Sequence, residues 1–506
     1  MNSILKALHV RHAPPPLPES FLFGVGTADH QCEAYDPARE DIRDQWERQC
    51  GLTMRGRATD FENRCLEDIE LARRIGCGAF RFSISWSRVE PEPGKFDDAA
   101  FEHYRRMVAA IRLAGMEPIV TLHHFTWPIH IEARGGMTDE RFPHWFELYA
   151  AQTALRLGDD VRIWITFNEP NQLVFGYLKL PWDSQCYAPP GWPEDATIDE
   201  QISKVGKLIR NLFMAHSQAR HTIARCSTDA LVGANPLVWG LPGWIQHRIL
   251  DRNATQIRSY EDLSKQVRRY SLGTHPMQGG EAAGASGPRA QAYHAGRRAA
   301  KSQPDASLLD SVRDFYHASL DWIPILSTMF TSNWWHLGMA GELQPILCPP
   351  ECVGQQDFVG LDYYWGTPNL LRIPDMIIAG SSGRFDRAPV DPSFLYDTLR
   401  DHARMFPGKP LLVVENGSVP VASGVDRITY IRDHVREVQK AVGLGIDIMG
   451  YICWSITSNR EWGHPFSAST DFGLYHIALD TDARLRRHRT GAAEAYQKII
   501  AERGVY

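Results

Sequence analysis

Short apolar runs that end in polar residues recur along the chain, and each is followed by a segment whose apolar positions repeat at helical spacing. The runs fall at 21–28, 79–86, 117–125, 163–170, 230–238, 357–365, 411–418 and 447–455. Stretches such as EPIVTLHHF and LLVVENGS are apolar almost throughout, the pattern of strands covered on both faces of a parallel sheet. Eight such strands alternating with helices predict an α/β fold, a (β/α)8 barrel forming a single domain over 1–506 with long loops at its carboxyl face. Between the strands, 97–113 places Phe101, Tyr104, Val108 and Ile111 on one helical face, with Gly115 as a stop signal just beyond. The segment 427–442 repeats the design through Ile428, Ile431, Val435, Val438 and Val442.

One region breaks the alternation. Residues 252–307 include GTHPMQGGEAAGASGPRAQAYHAGRRAAKSQPDAS, rich in Gly, Ala and Arg and poor in large aliphatics. Such a segment buries little, and its place after the fifth strand reads as a surface insertion or an active-site lid, with slightly more weight on the insertion.

Composition narrows the function classes. With 43% hydrophobic and 23% charged residues the 506-residue chain is that of a globular protein with a large core. The 54 Lys and Arg against 60 Asp and Glu give a net charge of -6, so the chain lacks the basic field that nucleic acid or an anionic membrane requires. The opening MNSILKALHVRHAPPPLPES has no apolar core of signal-peptide length before its prolines, and no stretch is apolar enough to span a bilayer. A cytoplasmic protein is expected, with room for a homo-oligomer. The nine cysteines lack paired spacings, so free thiols are expected; Cys348 and Cys352 would need two further ligands to hold zinc. No metal and no cofactor are expected.

In a (β/α)8 barrel the chemistry sits at the carboxyl ends of the strands. Strand four closes as WITFNEP and strand seven as LLVVENG, which brings Asn168 with Glu169 and Glu415 with Asn416 to the barrel mouth. Two carboxyl groups from different strands can face each other across a single bond. An isolated Glu after an apolar strand is more often a solvated loop residue, and His123 is expected to face the barrel wall. Trp86, Trp127, Trp164 and Trp335 read as core or rim aromatics, with Trp335 also a candidate for the leaving-group side.

The whole set of motifs resembles glycoside hydrolase family 1, the β-glucosidase and β-galactosidase-like retaining β-glycosidases, through most of the chain and in the right order. The motifs are FLFGVGTADHQCEA with Gln31 and Glu33, FRFSISWSR with Arg81, TLHHFTWP with His124, TFNEP with Asn168 and Glu169, DFVGLDYYWG with Tyr364, VVENG with Glu415, and WSITSNREWG with Trp454, Glu461 and Trp462. The resemblance implies hydrolysis of a small-molecule β-glycoside or oligosaccharide by two carboxyl groups, Glu169 as acid/base and Glu415 as nucleophile. It further implies that Arg81 keeps Glu415 ionised, that Tyr364 aims it, and that Asn168 contacts the sugar 2-hydroxyl. Period-two alternation favours Tyr364 over Tyr363 as the inward tyrosine. Gln31, His124 and Glu461 would read the remaining hydroxyls, with Trp454 as a platform under the ring and Trp462 donating its indole N–H.

Two departures carry expectations of their own. Asp362 stands where the family usually has Asn and, if ionised, would raise the pKa of Glu415 unless Arg81 or another cation paired with it. Arg460 replaces an aromatic near the subsite rim, where it would favour a polar or acidic leaving group. Retention of Glu461 argues against sugar 6-phosphates, because a carboxylate near the 4- and 6-hydroxyls would repel a phosphate. A non-catalytic sugar-binding barrel and a transglycosylase remain the alternatives.

Overall fold

The computed structural model describes residues 14–178, 188–193, 195–260 and 333–506. Nine parallel strands form one nearly closed sheet: β1 (Leu22–Gly26), β2 (Ala79–Ser83), β3 (Glu117–His123), β4 (Ile163–Asn168), β5 (Leu231–Asn235), β6 (Leu237–Gly240), β7 (Val359–Gly366), β8 (Leu411–Asn416) and, after a small hairpin of β9 (Val421–Ala422) with β10 (Val425–Asp426), β11 (Ile448–Trp454). The order β5-β4-β3-β2-β1-β11-β8-β7-β6 runs once around a (β/α)8 barrel. The fifth sequence strand is two strands here. Pro236 has no N–H to donate, so the ladder breaks there: β5 pairs with β4 and β6 with β7. The ring is joined across the break by Asp362 N–H donating to the Pro236 carbonyl at 3.1 Å.

Alternation sorts the side chains into two layers. Ala79, Ile119, Ile163, Ile165, Leu412, Val414 and Ile452 fill the barrel interior. Phe80, Phe82, Val120, Leu122, Trp164, Leu411 and Val413 face outward into the shell of helices. The helix Asp98–Leu113 buries Phe101, Tyr104, Val108 and Ile111, and Gly115 adopts φ +76 just past its end, where a side chain would be strained. In the helix Arg427–Gly443, Ile431, Val435 and Val438 are buried together with Tyr430 and His434, whereas Ile428 is exposed. Trp86, Trp127, Trp164 and Trp335 are all core residues, and Trp335 packs on Phe213 and His216 rather than beside a cavity.

Of the segment 252–307, the structure describes the helix Arg252–Thr255 and the residues up to 260; the remainder of the expected insertion or lid lies outside the described residues. The eight described cysteines are free thiols, and Cys186 lies outside the described residues. Among the described residues no helix is long and apolar enough to cross a membrane.

Candidate active site

At the carboxyl end of the barrel the apolar interior layer gives way to polar groups from neighbouring strands: Arg81 on β2, Thr121 on β3, Asn168 on β4, Asn235 on β5, Asp362 and Tyr364 on β7, and Glu415 on β8. Strict alternation would not assemble this layer. Register shifts interrupt β4 between Ile165 and Asn168, and the pairing of β8 with β7 where Asp362 meets Glu415. A bulge of this kind re-aims the residues that follow it. In β4, Phe167 packs outward on Phe146 while Asn168 lines the cavity; in β8, Val414 lies in the interior and Glu415 beside it also faces the cavity.

The cavity above this layer has a volume of about 470 Å³ and brings together Gln31, His124, Asn168, Glu169, Tyr364, Glu415, Trp454, Glu461 and Trp462. Oxygens of Glu169, Asp362 and Glu415 all lie within 4.8 Å of one another. Arg81 is fully buried beneath the cavity floor. It donates to Glu415 Oε1 in a short hydrogen bond, to Asn168 Oδ1 at 2.6 Å and to Thr121 Oγ1 at 3.0 Å. The second Glu415 oxygen accepts from the Tyr364 hydroxyl at 2.7 Å, whereas the Tyr363 hydroxyl turns away to the Asp391 carbonyl. Asn168 Oδ1 also accepts from Asn235 at 2.7 Å, which leaves the Asn168 amide N–H groups for a ligand.

Glu169 is held differently. Its backbone N–H donates to the Asn235 carbonyl at 2.9 Å and its φ is +38, a left-handed backbone that non-glycine residues rarely adopt. Its carboxyl has no hydrogen bond within the described residues. Desolvation first, and the charge of Glu415 second, raise its pKa well above the usual carboxylate range.

Asp362 forms no ion pair with Arg81. Burial first, then Glu415 and Glu169, push its carboxyl pKa well above the usual range. Its Oδ2 accepts from Asn235 Nδ2 at 2.6 Å. Arg460 pairs with Asp480 and is not among the residues lining the cavity.

The far wall is aromatic. His124 stacks between Trp454 and Trp462 with ring centroids 5.7 Å away on each side, and burial together with the Arg81 charge keeps its imidazole neutral. His123, by contrast, is buried against Trp127 and Phe167. Gln31 Nε2 donates to Glu461 at 3.0 Å, and Trp454 also hydrogen-bonds that carboxyl. Burial, then Glu415, raise the Glu461 pKa well above the usual range. Phe125 and Trp462, both on this wall, have φ of +65 and +41, so strained backbone clusters at the cavity.

Several lining residues escape the sequence reading, among them Arg43, Trp46, Phe175, Trp365, Phe385 and His464. Trp365 closes β7 beside Tyr364, but the others come from loops and short helices with no strand-end signal to mark them. Beneath Arg43 lies a buried ionic knot. Asp41 and Glu47 hold His30 at 3.0 and 3.3 Å, and Arg55 pairs with Asp44 at 2.6 Å. Burial alone would lower the His30 pKa, but Asp41 and Glu47 raise it to about 10, so the imidazole is charged. The donor sets of His30, Asp41 and Asp44, and of Glu169, Asp362 and Glu415, have the spacing of cation ligands; Arg55 and Arg81 respectively already occupy a carboxylate of each.

A barrel with paired carboxyl groups in an aromatic-walled cavity at its carboxyl face is a sugar-cleaving architecture, and the protein is a glycoside hydrolase. The chain belongs to glycosyl hydrolase family 1, whose model matches residues 14–241 and 381–505, more than half of the sequence. It is 25% identical over 510 residues to a 1,4-beta-D-glucan glucohydrolase of Thermotoga neapolitana, covering 96% of this chain and 99% of that one. It is 26% identical over 530 residues to a bifunctional beta-D-glucosidase/beta-D-fucosidase of Bifidobacterium breve, covering 96% and 98%. The fold matches the solved structure of a beta-glucosidase from Thermotoga maritima in complex with deoxynojirimycin, with a TM-score of 0.67 and 21% identity over 97% of this chain and 100% of that one.

Proposed function

We propose that the protein is a retaining exo-β-glycosidase that hydrolyses β-glucosides or related β-glycosides by double displacement. The observation that carries this reading is the placement of Glu169 and Glu415 oxygens within 4.8 Å across one cavity. Retaining enzymes keep their carboxyl groups about 5 to 5.5 Å apart; inverting enzymes hold them roughly 6.5 to 9.5 Å apart, to admit a water between.

In the first step a Glu415 oxygen attacks the anomeric carbon while Glu169, protonated by virtue of its raised pKa, gives its proton to the departing oxygen. A glycosyl ester on Glu415 removes that residue's charge and with it the second cause of the Glu169 shift. Glu169 then takes a proton from the attacking water, the ester breaks, and the sugar leaves with its original configuration. Arg81 and Tyr364 stabilise and aim the Glu415 carboxylate, and Asn168 meets the 2-hydroxyl, where bonds strengthen in the transition state. Gln31, His124 and Glu461 contact the other hydroxyls, with Trp454 as a platform under the sugar ring and Trp462 donating its indole N–H. The free thiols favour a reducing compartment, the cytoplasm.

Proton NMR of aryl β-glucoside, β-galactoside and β-fucoside hydrolysis tests the reading. The β-anomer of the free sugar is expected to appear first and then mutarotate. Initial release of the α-anomer, or no turnover of any of the three, contradicts it.

A further inference from the structure

β5 ends on Asn235, one residue before the proline that breaks the ring. Its side chain is fully buried in the polar layer under the cavity and does not line the cavity itself. Both of its amide N–H groups are engaged: Nδ2 donates to Asn168 Oδ1 at 2.7 Å and to Asp362 Oδ2 at 2.6 Å. Its Oδ1, by contrast, is buried without a hydrogen-bond partner within the described residues. A leucine of similar shape would avoid that empty acceptor, so what the position uses is the pair of N–H donors.

The donor that reaches Asn168 meets an oxygen already held from the other side, by Arg81 Nη2 at 2.6 Å. The torsion that turns an asparagine amide about its Cβ–Cγ bond has a broad minimum, so one bond to the oxygen decides which end points down without fixing the amide plane. Two donors from separate strands, Arg81 on β2 and Asn235 on β5, fill both acceptor sites of that oxygen and fix the plane. The Asn168 N–H groups are thereby directed into the cavity that the residue lines. Regular strand alternation does not supply this aim, because the pairing of β4 with β5 shifts between Ile165 and Asn168.

We infer that Asn235 is a positioning residue for the glycosidase reaction: its side chain, together with Arg81, aims the Asn168 amide at the 2-hydroxyl of the sugar. The inference rests on the glycosidase reading above, in which Asn168 meets that hydroxyl. Bonds to the 2-hydroxyl strengthen in the transition state, so a misaimed amide lowers the rate of sugar transfer. The acid/base is not disturbed by the same change, since Glu169 is held by the Asn235 backbone carbonyl, which any side chain retains.

The test compares 2,4-dinitrophenyl β-glucoside with its 2-deoxy counterpart as substrates of the parent, Asn235→Ala and Asn235→Leu. In both variants kcat/KM for the glucoside is expected to fall roughly 10- to 100-fold, the scale on which a misplaced contact slows an enzyme. The 2-deoxy substrate has no hydroxyl for Asn168 to meet, and its kcat/KM should stay within about threefold of the parent value. A purely structural role for Asn235 would lower both substrates alike. An equal loss on the two substrates, or no loss on the glucoside, therefore overturns the inference. If one variant does not fold the other carries the comparison, and failure of both makes Asn235 a structural group and also overturns it. A parent that hydrolyses neither substrate removes the glycosidase reading itself, whereas hydrolysis with equal losses in the variants removes this inference alone.

Discussion

The two carboxyl groups that face each other across the cavity are held in opposite ways. On the β7 and β8 side, Glu415 has both oxygens engaged, by Arg81 and by Tyr364, and the guanidinium that grips it is itself fixed by Asn168 and Thr121. On the β4 side, Glu169 is anchored through its backbone to Asn235 and its carboxyl is left without a bond inside the described residues. The difference suits the two proposed tasks. A nucleophile gains from a fixed line of attack and a stabilised charge. An acid/base that must lose and regain a proton each cycle is hindered by partners that prefer one protonation state.

Breaking the fixed side should cost most. Glu415→Gln keeps the shape and removes the attacking charge, and kcat on an aryl β-glucoside should fall on the order of 10⁵-fold, as when a covalent nucleophile is deleted. Glu169→Gln should lower turnover roughly 10²- to 10⁴-fold, least for the best leaving groups. Added azide should restore turnover of the second variant by trapping its glycosyl ester, with β-glycosyl azide as the product. Equal losses with no azide response from either variant would erase the distinction between the sides. Tyr364→Phe removes one charge-assisted bond and should reduce kcat about 10- to 100-fold, with Arg81 still in place.

The free side is sharpened by pH. Because the Glu169 pKa is raised by burial and by Glu415, its acid form persists to higher pH than an ordinary glutamate's, and kcat/KM should decline as pH rises through that value. Esterifying Glu415 removes one raising cause, so infrared titration of the Glu169 carboxyl should give a lower pKa in the glycosylated enzyme than in the free one. The smallest effect concerns Asp362. A carboxyl whose folded pKa lies above its unfolded value holds a proton that the unfolded chain releases, so the stability it leaves behind falls as pH rises from about 4 towards the folded value. Asp362→Asn should therefore raise Tm more at pH 8 than at pH 4, and an equal change at both would show that Asp362 is ionised throughout.

The barrel was legible in the sequence because strands covered on both faces are apolar along their whole length, as β3 and β8 are. The motifs at the strand ends point to residues that the structure gathers around one cavity. What escaped was whatever depends on a break in periodicity or on packing between distant segments. Alternation has no way to place Ile165 and Asn168, or Val414 and Glu415, on the same side of their strands; the bulges do that. The split at Pro236 looked like one strand because its flanks, Leu231–Asn235 and Leu237–Gly240, are both apolar. Arg43 sits in the polar run DIRDQWERQ, and only the ionic knot beneath it and the faces of Trp46 and Trp462 bring it to the cavity wall. The raised pKa of Asp362 likewise comes from burial and from neighbours on other strands and not from its own motif.

The division of labour is tested most directly by mass mapping after incubation with a 2-deoxy-2-fluoro β-glycoside bearing a good leaving group, which forms the covalent ester quickly and releases it slowly. The account predicts one equivalent of fluorosugar on the peptide LLVVENG, attached at Glu415. A label on Glu169 or Asp362, or turnover of the reagent with no label at all, would contradict it.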